Sequence, residues 1–239
     1  MKRFEELDWR RTPMGELTLR RRWDPTVNTE VYEIKLDDEF LMSSLFTSAE
    51  EEIAHRALAA LPGTDLDIAV GGLGLGYTAQ AVLASDRVRS LLVIDTLSEV
   101  IDWHQRGLIP AGEQLAADTR CTLRHGDFFA LNHSPAGLDS DQPGRQFHAI
   151  VVDIDHSPRH LLDPAHADFY TPGGLQRLAT HLHPGGVFTL WSNDPPDEEF
   201  TTHLQHDFID VCADVVTFDN PLQQRSATAT VYLAKTPVP

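Results

Sequence analysis

Residues 66–83 read LDIAVGGLGLGYTAQAVL, with Gly71, Gly72, Gly74 and Gly76 falling within six positions between an apolar run and a helical pattern. Glycines at such a junction let a strand turn sharply into a helix and let a ligand approach the amides at the helix N-terminus. The same residues also describe a tight turn. The choice depends on what surrounds them. Downstream, strands are expected at 90–94, 120–124 and 147–153, with helices around 76–85 and 97–106. A helix at 172–182, a strand at 186–191 and terminal strands near 209–218 and 228–234 follow. Strands alternating with helices imply an α/β fold with a mostly parallel sheet covered on both faces.

Upstream the pattern differs. GELTLRRR (15–22), EVYEIKL (30–36) and EFLMSSLF (39–46) read as short strands separated by turn residues, a small β appendage over residues 1–47 before a main domain at 48–239. A helix is expected from Ser48, as N-cap with Glu51 three residues on, to just before Pro62-Gly63. Residues 131–146 read as a polar surface loop.

The chain has 239 residues, 41% of them hydrophobic, enough for one sizeable core. No apolar run reaches membrane-span length and the N-terminus lacks a signal-peptide core, so a cytoplasmic protein without membrane contact is expected. Cys121 and Cys212 are too few for a disulfide framework and are expected as buried thiols. Nineteen basic residues against thirty-six acidic ones leave a net charge of −17, which argues against a nucleic-acid partner and favours small cations.

Gly72, Gly74 and Gly76 acquire meaning from four carboxylates that follow. The second strand of the alternating pattern ends in Asp95, where an acidic side chain accepts from both ribose hydroxyls of a nucleoside. Asp127, in HGDFF, stands at the end of the third strand, suited to an adenine amino group. Asp153 and Asp155 follow the fourth strand in VVDIDHSP, and share a face only if the strand continues through both; otherwise one of them caps the next element.

With FYTPGGLQRLATHLHPGGVF (169–188) added, this order resembles the S-adenosylmethionine-dependent methyltransferase fold, and within it the spermidine synthase family, over about residues 30–235. The family's first helix carries Thr-Glu-x-Asp-Glu-Phe-x-Tyr-His, echoed in TSAEEEIAH at Thr47, Glu50, Glu51 and His55. The resemblance implies a Rossmann-like domain with a seven-stranded, mostly parallel sheet. It also implies a homodimer and transfer of an aminopropyl group from decarboxylated S-adenosylmethionine to a di- or polyamine. By resemblance Asp95 holds the ribose, Asp127 the adenine, and Asp153 is the catalytic carboxylate; from their own chemistry Asp155 is expected to help hold the cationic substrate and His156 to line the acceptor pocket or relay a proton. Glu51, His55 and Tyr170 are the expected substrate-binding residues.

Departures from the family pattern keep two other readings open. The glycine-loop Asp is Gly74 here, the second loop Asp is His156, the first-helix Tyr is Ala54, and a Gln upstream of it is Leu45. Loss of the carboxylate at Gly74 no longer repels the carboxylate of ordinary S-adenosylmethionine, so small-molecule methyl transfer is one alternative. A non-catalytic nucleoside-binding protein is the other. Ten of the twelve histidines lie between His125 and His206, but their spacings match no metal-ligand pattern, and no metal is expected.

Overall fold

The computed structural model describes residues 4–220 and 225–239. The apolar run that opens the glycine stretch forms β5 (Leu66–Gly71), buried on both faces as expected of an inner parallel strand. Beside it lie β6 (Val88–Asp95) and β7 (Cys121–His125) on one side and β8 (Phe147–Val152) and β9 (Leu182–Ser192) on the other, all parallel. Two antiparallel strands, β11 (Arg225–Lys235) and β10 (Ile209–Asn220), complete a seven-stranded sheet of order β10-β11-β9-β8-β5-β6-β7. The chain winds outward from β5 in both directions, so β5 and β8 flank the switch point where open α/β sheets leave a crevice for ligands.

Helices cover both faces. On one, α1 (Ser48–Ala60), α2 (Tyr77–Leu83), α3 (Ser98–Gln105) and α4 (Gly112–Ala117) contribute Ile53, Val82, Trp103 and Leu115 to a core that also takes Leu17, Leu19 and Ile34 from the N-terminal strands. On the other, α5 (Phe128–His133), α6 (Pro172–Thr180) and α7 (Glu198–Leu204) bury Phe128, Leu175, Leu178 and Phe200. A 3-10 helix, Pro164–Tyr170, precedes α6 and adds Phe169. Among the described residues no helix is long and apolar enough to cross a membrane.

The N-terminal sheet has four antiparallel strands rather than the expected three: β1 (Phe4–Thr12), β2 (Gly15–Asp24), β3 (Thr29–Leu36) and β4 (Glu39–Ser43). The additional strand reads FEELDWRRT, mostly exposed or half-buried, and so lacks the apolar alternation that marks a strand in sequence. Trp103 Nε1 donates to Asp8 Oδ2 at 2.9 Å and ties β1 to α3. Helices α4 and α5 were not expected either; each is six residues long, too short for a clear period. The 131–146 segment begins inside α5, and its Leu138 and Asp139 are buried rather than on the surface. Ser48 is the first residue of α1 and Thr47 its N-cap, the Thr47 hydroxyl donating to Glu51 Oε1 at 2.9 Å. Both cysteines are free and half-buried rather than buried.

Candidate functional site

The glycine loop resolves the opening ambiguity through its amides. Gly72 N donates to Ile94 O (2.9 Å), Leu73 N to Asp95 Oδ2 (2.8 Å), Leu75 N to Met42 Sδ (3.0 Å) and Gly76 N to Leu73 O (2.8 Å), while Gly74 N is also directed at Asp95. Every amide of the loop is used within the protein. A phosphate cradle needs such amides free, so the loop is shaped for close approach rather than for phosphate. Close approach is what Gly72 permits: its φ is +95°, and a Cβ there would lie 2.1 Å from the Asp153 carbonyl oxygen. At Gly74, φ +46°, a Cβ would lie 2.6 Å from Met42 Sδ. Gly76, the N-cap of α2, packs under His104 and stands off the site.

Above the switch point lies a cavity of about 250 Å³. It is lined by Gly72, Gly74, Asp95, Asp127, Asp153 and His156 of the sequence-expected residues, together with Glu50, Asp163, His166 and Trp191. The N-terminal sheet supplies Met14, Ile34, Leu41 and Met42 as one wall. Five lining carboxylates face no lysine or arginine among the described residues.

Each carboxylate is held differently. Asp95, ending β6, accepts from Leu73 N and Leu97 N at 2.8 Å each; burial outweighs these amides and pulls its pKa upward. Asp127 caps α5, its Oδ1 accepting from Phe129 N (2.9 Å) and Ala130 N (3.1 Å). Its other oxygen is left to the cavity side chemistry of an acceptor. Asp153 stands one residue beyond the end of β8 and accepts from the Thr78 hydroxyl at 2.8 Å. Burial raises its pKa to about 6. Glu50, on α1, is raised to about 8 by burial and then by the Asp153 charge. The two titrate as a pair.

Four other sequence candidates lie away from the cavity. The strand ends at Val152, so Asp155 does not share a face with Asp153. It is buried behind the wall, accepting from Leu162 N (2.7 Å), the Tyr170 hydroxyl (2.8 Å) and His166 Nδ1 (2.8 Å). Because a carboxylate only accepts, His166 carries its proton on Nδ1 there. Asp155 thus aims His166, which stacks on Phe129 at 3.9 Å, into the cavity. Tyr170 is buried with it, its hydroxyl pushed well above the ordinary range by burial and the Asp155 charge. Glu51 is turned to Thr47, and His55 is exposed. His156 lines the cavity and reaches across to Glu39 Oε1 of β4 at 3.1 Å.

Glu50 and His166 were not singled out as site residues from the sequence. Glu50 adjoins Glu51 on α1, and one residue is about 100° of helix rotation, so only the packed face distinguishes them. His166 is eleven residues from its partner Asp155, with no spacing that links them. Trp191 lines the cavity on β9 with its Nε1 buried and without a hydrogen-bond partner among the described residues.

No protein-family model matches the chain, and no curated protein matches it in sequence. Among solved structures, a spermidine synthase in complex with the transition-state analogue AdoDATO superposes with a TM-score of 0.71 at 16% identity, covering 98% of this chain and 74% of that one. The spermidine synthase from Thermotoga maritima gives 0.70 at 16% identity with the same coverages. At this identity the likeness establishes architecture: the chain has the spermidine synthase-like methyltransferase fold, N-terminal β-sheet included.

Proposed function

We propose that the protein is a transferase that takes a decarboxylated S-adenosylmethionine-type donor and moves its aminopropyl group to an amine. The observation that carries this reading is a cavity with five carboxylates and, among the described residues, no lysine or arginine, beside a glycine loop whose amides are already engaged. A sulfonium donor and an ammonium acceptor are both cations and suit that field. A donor carboxylate would find neither a cationic partner nor a free loop amide, which disfavours ordinary S-adenosylmethionine despite the glycine at position 74.

In this reading Asp95 accepts from the ribose hydroxyls through its remaining lone pairs, and Asp127 accepts from the adenine amino group. An alkyl amine of pKa about 10.4 is only about 0.04% neutral at pH 7, and only the neutral form attacks. Asp153, oriented by Thr78, holds the ammonium and receives its proton as the nitrogen lone pair forms the new N–C bond. The C–S bond breaks, its electron pair returns to sulfur, and a neutral thioether leaves. Burial of Asp153 keeps its proton affinity high enough for that transfer.

Calorimetry with decarboxylated S-adenosylmethionine, S-adenosylmethionine and methylthioadenosine tests the donor. Tighter binding of the decarboxylated form by about tenfold or more is expected; preference for the carboxylated donor points to methyl transfer, and binding of none removes the nucleoside reading.

A further inference from the structure

The two ends of the cavity belong to different cores. Phe128 and Phe129, next to Asp127 and His166, belong to the core under α5 and α6. Met14, Leu41, Met42 and Trp191 pack against the other, which holds α1 and the N-terminal sheet. Thr189 donates to the Ile53 carbonyl of α1, so Trp191, two residues along β9, faces the same side as the helix that carries Glu50.

At this second end the ionisable side chains are few. Glu50 and Asp153 are adjacent, and His156 is already directed at Glu39. The remaining wall is thioether and alkyl. The Trp191 ring lines this end and can take an ammonium on its face.

We infer that the acceptor is an amine with one ammonium group and a largely apolar body, its nitrogen between Glu50 and Asp153 and its body against Met14, Leu41 and Met42. The inference rests on the reading under Proposed function and narrows its acceptor. Charge balance agrees: with the pair titrating at about 6 and about 8, it holds one proton and one net negative charge near pH 7, matching one ammonium. A second ammonium at the far end of the same molecule would lie against methionine and leucine with no counter-charge, a costly burial. The transfer itself balances as before, one proton passing from the ammonium to the carboxylate pair as the C–S bond breaks.

The test compares two amines of equal length, n-hexylamine and 1,6-diaminohexane, by calorimetry against the intact protein saturated with methylthioadenosine, and by kcat/KM with decarboxylated S-adenosylmethionine. The monoamine is expected to be favoured at least about tenfold in both measurements. Equal or better use of the diamine overturns the inference while leaving the donor reading intact. Failure of methylthioadenosine to bind defeats the donor reading, and the inference falls with it. Met42→Glu, which places a second anion on the apolar wall, is expected to abolish or reverse the preference. Should that variant lose nucleoside binding, the wild-type comparison alone decides.

Discussion

Asp153 has a single side-chain donor, the Thr78 hydroxyl, and a carboxylate neighbour in place of a cation. Burial raises its proton affinity and the Thr78 hydroxyl moderates it, leaving a carboxylate poised to take a proton. Replacing Asp153 with Asn keeps the Thr78 contact but removes the proton acceptor. Single-turnover rates with decarboxylated donor are expected to fall about 100-fold or more, with nucleoside affinity changed little. For the wild type, kcat/KM is expected to rise with pH along an acid limb near 6, because Asp153 must be ionised to accept. An unchanged rate in Asp153→Asn, or an acid limb near 4, assigns the chemistry elsewhere. Asp155, two residues on, shows how little spacing says about role: buried and triply hydrogen-bonded, it acts on the cavity only through His166.

Among the elements, the junction of β5 with the glycine loop is the most constrained. Gly72 passes so near the end of β8 that a methyl group there would press on the carbonyl of Asp153. Gly72→Ala is expected to cost roughly 2–4 kcal/mol in denaturant unfolding, from positive-φ strain and overpacking together, and to reduce turnover by displacing Asp153. Gly63, also at positive φ but with open space around it, separates the two causes. Gly63→Ala is expected to cost only about 1 kcal/mol and to leave turnover unchanged. Equal costs at the two positions would mean that contact with β8 does not constrain the loop. The opposite ends of the strands serve stability alone: Asp67 of β5 is buried against Arg89, Ser90 and Arg145, far from the carboxyl ends where the cavity opens.

Across the whole molecule, the carboxylates of the cavity couple stability to pH. Glu50 titrates at about 8 folded against 4.5 as a free side chain, and Asp153 at about 6 against 3.8. The folded state therefore binds more protons than the unfolded one, and the stabilisation present below about pH 4 is lost as pH rises toward 8. The Tm of the ligand-free protein is expected to fall between pH 5 and pH 8.5. Glu50→Gln, which cannot ionise, is expected to flatten that slope and to raise Tm at pH 8 by at least about 2–4 °C. A scan of Tm against pH on both proteins checks this, and identical slopes would show that Glu50 lies in a wetter environment than its position implies. The net charge of −17 adds a long-range attraction for cationic ligands, which should weaken with salt.

The amino-acid sequence by itself determined the order of strands from residue 66 onward, the parallel sheet, and the placing of Asp95, Asp127 and Asp153 at successive strand ends. These follow from local signals: continuous apolar runs for buried strands, glycines at a strand-to-helix turn, and carboxylates just beyond the last apolar residue. β1 escaped because a strand with few apolar residues and no regular alternation of burial has no such pattern. Only the tertiary structure decided which neighbouring carboxylates line the cavity, Glu50 rather than Glu51 and Asp153 rather than Asp155, since that depends on which side of α1 packs and where β8 stops. It also decided that the loop amides are spent on Asp95 and Met42, the latter reaching over from a separate sheet thirty-three residues upstream of its partner. A side chain's direction and its local pattern are set within a few residues; the company it keeps in a cavity is set by elements far apart in the chain.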